Sequence, residues 1–246
     1  MVVRTPDPET IDYPETDDEP MGENTLQFQW INALVVGFER LFLDRPDVFV
    51  AGDLFWYPVH GDPKTVTAPD VMVVFGRPKG YRGSYKQWEE GGVAPQVVFE
   101  IKSPTNRPAR VAEKQALYDQ FGVEEYYLYD PDTGVFEAWV RTGKKLRAVR
   151  GARENGFTSP RLGVRFDLPD GLHWRLTRPD GGTIQTFPEL VAAAVTHQEQ
   201  LVDERKRTIE ERRRVVEEQQ RSLEERKRAD KLAAKLRELG VDPDAV

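Results

Sequence analysis

PDVMVVFGRPKGYRGSYKQWEEGGVAPQVVFEIKS, residues 69–103, is the stretch on which the fold turns. Its ends read as strands: TAPDVMVVF (67–75) has a proline near its start, and QVVFEIKS (96–103) is stopped by Pro104. Between them lie Gly76, Pro78, Gly80, Gly83, Gly91 and Gly92, the composition of a loop. Asp70 stands at the head of the first strand. Glu100 and Lys102 stand two apart on the second, so both side chains leave the same face.

Placing Glu100 and Lys102 among Val97, Val98, Phe99 and Ile101 is costly unless each charge is compensated. One resolution is a salt bridge between the two at a strand end. The other is a divalent cation held by Asp70, Glu100 and the backbone carbonyl of Ile101, an oxygen donor set suited to Mg²⁺ or Mn²⁺. Such a cation polarises a phosphoryl oxygen and lowers the pKa of a bound water. Lys102 is then placed to orient that water or to stabilise charge developing on phosphate. Residue types in this pattern suit metal-dependent phosphodiester hydrolysis. Glu-x-Lys by itself is common by chance. The specificity lies in Pro-Asp, the long interval, an apolar Glu-x-Lys strand, and a following helix that carries Lys114.

Outward from this stretch, Leu26, Trp30, Leu34, Val35, Phe38, Leu41 and Phe42 recur at three and four, which predicts a helix over 26–44. VFVAGDLFWYPV (48–59) reads as one strand, with Asp53 as a turn-type residue within it. On the other side, RVAEKQALYDQF (110–121) reads as a helix capped by Gly122, and EEYYLYD (124–130) as a strand closed by a turn at 131–134. VFEAWVR (135–141) and KLRAVR (145–150) form a hairpin around Thr142-Gly143. Strand, helix, strand over 97–129 is a β-α-β step, so the fold class is α/β with a mixed sheet flanked by helices. Residues 151–187 carry only weak signals, including LGVRFDL (162–168), for a small strand or hairpin.

The tail differs in kind. VDERKRT, IEERRRV, VEEQQRS and LEERKRA follow one another from 202 to 229, with acids at the second and third position of each unit. Glu210/Arg214, Glu217/Arg221 and Glu224/Arg228 are spaced to stabilise a helix by roughly 0.2–0.5 kcal/mol per pair. A long helix ending at Gly240 is expected. Val202, Ile209, Val216 and Leu223 make one apolar line, but Arg205, Arg212, Gln219 and Arg226 occupy the second line that a coiled coil needs. Both a solvated, charge-stabilised helix and a weak dimeric coiled coil fit this pattern. The expected organisation is an acidic leader (1–20), an α/β domain (21–187) and a charged helix (188–246).

Composition narrows the function classes. There is no cysteine, which excludes disulfides and thiolate metal sites and suits a reducing cytoplasm. No run of about 20 apolar residues exists, so neither a signal peptide nor a membrane span is expected. The net charge of −7 is concentrated in residues 1–30, which hold eight acids and one base. The body is near neutral, so global charge argues neither for nor against a nucleic-acid partner. The loop residues Arg77, Lys79, Arg82 and Lys86, interleaved with Tyr81 and Tyr85, read either as a phosphate-contact element or as an ordinary basic loop.

Several segments together resemble a large bacterial family of restriction-endonuclease-like proteins with the PD-(D/E)xK fold. They are Ala68–Gly76, the loop from Tyr85 to Gly91, Val97–Ser103, Lys114 with Tyr118 four later, and Gly122–Pro131. The resemblance spans residues 18–190, and a charged C-terminal helix recurs in some members. It implies a Mg²⁺-dependent endonuclease acting on DNA, with Asp70, Glu100 and Lys102 in the catalytic roles. Many members carry a small polar residue at the position of Lys102, which brings Lys114 forward as an auxiliary lysine. Members tend to keep a Glu near Glu23, a further candidate acid, and often a His near Gln27. Tyr118 reads as packing between helix and sheet. Two alternatives stand beside the endonuclease: RNA as the substrate, and a module that keeps the fold without turnover and uses its last helix to pair with a second copy or a partner.

Overall fold

A computed structural model describes residues 11–15, 24–103 and 108–238. The chain divides into two compact units, one ending at Phe187 and the other starting at Pro188.

The first unit is built on a six-stranded sheet. In chain order its strands are β1 (Val48–Gly52), β3 (Val71–Phe75), β5 (Val97–Ile101), β6 (Glu125–Asp130), β7 (Val135–Thr142) and β8 (Lys145–Ala148), and they lie side by side in that same order. All neighbours are antiparallel except β5 and β6, which are parallel. That one parallel pair needs a crossover, and helix α2 (Pro108–Gln120) supplies it. The β-α-β step expected from the sequence is therefore present. Gly122, at φ 93°, lets the chain leave α2, since the left-handed region costs glycine little.

Because side chains alternate across a strand, the sheet has two cores. Val48, Val50, Val71, Val73, Val97, Phe99, Ile101, Tyr127 and Tyr129 point to one face. There they meet Trp30, Ile31, Leu34 and Phe38 of α1 (Thr25–Leu41). Asn24 caps α1, its side chain accepting from Gln27 N at 2.8 Å. Phe49, Met72, Val74, Val98, Tyr126 and Leu128 point to the other face, against Tyr118 of α2 and Trp56 and Tyr85 of a two-stranded parallel ribbon. That ribbon pairs β2 (Trp56–Tyr57) with β4 (Tyr85–Lys86).

Two expectations are corrected. Residues 48–59 are two strands, β1 and β2. Asp53 between them adopts φ 49°, and its backbone N–H donates to the carbonyls of both Pro69 and Asp70 at 3.2 Å. The chain therefore folds over the head of β3 instead of running straight. Residues 151–187 hold more than a hairpin: a short helix α3 (Ala152–Asn155) and a four-stranded sheet. Its strands are β9 (Phe157–Thr158), β10 (Arg165–Asp167), β11 (Arg175–Thr177) and β12 (Thr183–Ile184). Strands of two or three residues give too short an alternation to read. They are held by Phe166, Trp174, Leu176 and Ile184, which join the α1 face of the core.

The second unit is one continuous helix, α4 (Phe187–Glu238), of 52 residues. It starts well before the repeat at 202. The expected stop at Gly240 lies outside the described residues. Val202, Ile209, Val216 and Leu223 are all exposed along it.

Candidate active site

The register of β3 and β5 sets Val71 opposite Phe99. One step outward along this antiparallel pair, Asp70 stands opposite Glu100. Both belong to the set of alternate positions that faces α2, and both are buried. The two carboxylates are brought together by strand pairing, not by nearness in sequence.

Each carboxylate has its own partners. Asp70 Oδ2 accepts from the backbone N–H of Ile101 at 2.6 Å, and Gln27 Nε2 lies 3.5 Å from the same oxygen. Gln27 Nε2 also donates to the Ile101 carbonyl at 2.9 Å. Glu100 is held from α2, where Lys114 and Tyr118, four residues apart, share a helix face. Lys114 Nζ donates to Glu100 Oε2 at 2.7 Å and to the Ala68 carbonyl at 3.1 Å. The Tyr118 hydroxyl makes a short hydrogen bond to Glu100 Oε1 and lies 3.4 Å from Thr67 Oγ1. The indole of Trp56 stacks on the Tyr118 ring at 6.2 Å and fixes its plane.

The electrostatics follow from crowding two acids in a buried place. Burial, and then the neighbouring Glu100, push the Asp70 carboxyl up to about 8; Lys114, the Ile101 N–H and Gln27 pull it back only in part. Burial works to lower the Lys114 ammonium, but the charges of Glu100 and Asp70 outweigh it and leave Lys114 raised. Burial and Glu100 hold the Tyr118 hydroxyl well above its ordinary value, so it stays a donor.

Lys102 is placed elsewhere. It leaves the same face as Glu100, as the spacing requires, but its Nζ lies 3.4 Å from Asp130 Oδ2 at the end of the neighbouring strand β6. Its side chain is 34% exposed, against 21% for Lys114. The lysine beside the two carboxylates is thus Lys114. Glu23 lies outside the described residues. In the basic loop, Lys79 pairs with Glu39 at 2.5 Å, Arg82 with Glu90 at 2.5 Å, and Lys86 with Glu89 at 3.7 Å. The Arg77 Nε donates to the Gly76 carbonyl. These cations already hold their own loop in shape.

Sequence reasoning passed over two contributors. Gln27 is a polar residue on the apolar side of an amphipathic helix, and that misfit was the available signal. Tyr118 reads as packing, and it does pack, but its hydroxyl also reaches Glu100.

Among the described residues no group of three or more His, Cys, Asp or Glu is gathered as a metal cluster. Asp70, Glu100 and the Ile101 carbonyl nevertheless form an oxygen set of the hard type. Burial and the neighbouring Glu100 raise the proton affinity of Asp70, an effect that a bound divalent ion would relieve. The donor set fits an ion that keeps several of its waters.

No curated protein matches the chain. Among solved structures, it is similar to a protein of the DUF820 group from Anabaena variabilis ATCC 29413 described as a "putative nuclease". The two are 16% identical, with 63% of this chain and 77% of that one covered, at a TM-score of 0.42. The family model Uma2, described as "Putative restriction endonuclease", matches residues 17–176, more than half of the chain and all of the Asp70–Glu100 site. The chain belongs to the Uma2 family, and its first unit has the restriction-endonuclease-like fold.

Proposed function

We propose that this protein is a divalent-cation-dependent endonuclease that hydrolyses phosphodiester bonds of DNA in the cytoplasm. The observation that carries the reading is the buried pairing of Asp70 and Glu100 across β3 and β5, with Lys114 between them and the peptide of Ile101 alongside.

Asp70, Glu100 and the Ile101 carbonyl would hold Mg²⁺ or Mn²⁺, which supplies Lewis acidity toward a phosphoryl oxygen and acidifies a bound water. The protein's part is positioning and charge. The Ile101 N–H and Gln27 fix the Asp70 carboxylate; Tyr118 fixes that of Glu100. Gln27 Nε2 also donates to the Ile101 carbonyl and so orients that oxygen beside Asp70. Lys114, drawn by both acids, is the cation closest to where negative charge grows on phosphate, and we assign it the role that the sequence pattern gives to Lys102. Lys102, more exposed and next to Asp130, is left to contact the substrate backbone. Arg77, Lys79, Arg82 and Lys86 would serve the same end only after giving up the contacts that now engage them.

The test is nicking of supercoiled plasmid with Mg²⁺ by the wild type, Asp70→Ala and Glu100→Ala. Nicking by the wild type alone supports the reading, and equal cleavage by all three ends it. A parallel assay on labelled RNA decides the substrate. A separate reading concerns the second unit. We propose that its exposed apolar line, Val202, Ile209, Val216 and Leu223, pairs two copies of the chain. Light scattering on a chain lacking residues 200–246 decides that: a particle that loses only the mass of the deleted residues refutes pairing.

A further inference from the structure

The acidic leader places one described segment, residues 11–15, against the first unit, and its docking is specific. The Tyr13 ring sits in an aromatic slot. It is 5.1 Å from Tyr57, edge to face, and 5.0 Å from Trp88 at a tilt of 52°, while the His60 ring stacks on Trp88 at 4.8 Å. Lys86 Nζ lies over the Tyr13 ring at 5.7 Å. At the far end of the ring, the backbone N–H of Gly61 donates to the Tyr13 hydroxyl at 2.6 Å. The Tyr57 hydroxyl donates to the Pro14 carbonyl at 2.6 Å. The Glu15 carboxylate packs directly on Gly83.

The slot therefore holds a flat ring beneath the Lys86 ammonium, with an acceptor atom at the ring's outer edge. A nucleobase with an exocyclic carbonyl offers the same ring and the same acceptor. Aromatic side chains stack on any base, and a lysine alongside follows the backbone.

We propose that the slot formed by Tyr57, Trp88, Lys86 and the Gly61 N–H is a nucleobase-stacking site for an unpaired nucleotide, and that Tyr13 occupies it in cis. The acidic leader is then a competitor for nucleic acid on the basic loop. This rests on nucleic acid being the substrate class, and it needs no turnover.

The test is binding, read in EDTA so that no strand is cut. Fluorescence anisotropy with a labelled single-stranded oligonucleotide compares the full-length wild type, Tyr13→Ala, Trp88→Ala and the double variant. Freeing the slot tightens binding about fivefold or more, the lower end of what stacking one base contributes. Trp88→Ala removes that gain in the Tyr13→Ala background, and Trp88→Phe, which restores a ring, returns most of it. A dissociation constant unchanged or weakened by Tyr13→Ala overturns the proposal. So does a Tyr13→Ala gain that persists without Trp88, or the absence of oligonucleotide binding by every variant. Plasmid nicking lost in Asp70→Ala would still stand in each of those cases, so failure of the slot and failure of the endonuclease reading are separable.

Discussion

Glutamate and lysine stand in opposite surroundings at the candidate site and along α4. At the site, Glu100 accepts from Lys114 and Tyr118, and Lys114 also donates to the Ala68 carbonyl. Along α4 the same residue types stand in water. The ion pairs within it, Lys206–Asp203 at 3.2 Å and Arg213–Glu217 at 2.9 Å, join well-exposed side chains. Water screens such a pair, so breaking it costs little. A buried charge left without its partner has no such refuge. One set of charges is therefore held in fixed partnerships inside the fold, while the other adds a little to helix stability.

The sharpest way to break this contrast is Glu100→Ala. It removes the one carboxylate bonded to the Lys114 ammonium, and we expect about 3–5 kcal/mol of stability to be lost in urea unfolding, together with nicking activity. A loss below about 1 kcal/mol would mean that water reaches the site freely. Lys114→Ala comes next: about a hundredfold or greater loss of cleavage rate, against a few-fold for Lys102→Ala. Equal losses, or the reverse order, would return the phosphate-facing role to Lys102.

Protonation gives a third test. The Asp70 carboxyl is pushed to about 8 from an ordinary value of 3.8 by burial and then by Glu100. The folded state therefore binds this proton more tightly than the unfolded state does. Its contribution to stability is full below about pH 4 and is lost as the pH rises toward 8. The metal-free protein should lose melting temperature over that range, and Asp70→Asn should flatten the slope. Saturating Mg²⁺ should stabilise the wild type more at pH 8 than at pH 6, because binding releases the proton. A slope that Asp70→Asn leaves intact would place the responsible group elsewhere. The smallest effect is expected on α4, where Glu217→Ala, which removes the Arg213–Glu217 pair, should cost about 0.2–0.5 kcal/mol of helix stability and nothing in cleavage, measured by circular dichroism melting and plasmid nicking.

Much of this was legible in the order of residues. The apolar runs at 71–75 and 97–101, the helix with Gly122 behind it, and the seven-residue repeat are local patterns that specify local structure through side-chain period and capping. Asp70 and Glu100 stood out because acids at the ends of apolar strands need a reason to be there. The second sheet was not legible, since its strands are too short for a period to show. Nor was the break at Asp53, which depends on hydrogen bonds to the carbonyls of Pro69 and Asp70.

The sequence by itself determined the long elements, β3, β5, α1, α2 and α4, and which face of the longer helices is apolar, because those are properties of neighbours along the chain. It also supplied the two acids and offered two lysines. Only the tertiary structure decided between them. Antiparallel register set Asp70 opposite Glu100, the crossover helix swung Lys114 and Tyr118 onto that pair, and β6 put Asp130 beside Lys102 and drew it aside. Which lysine meets which carboxylate depends on groups distant in sequence and adjacent only once the sheet has formed.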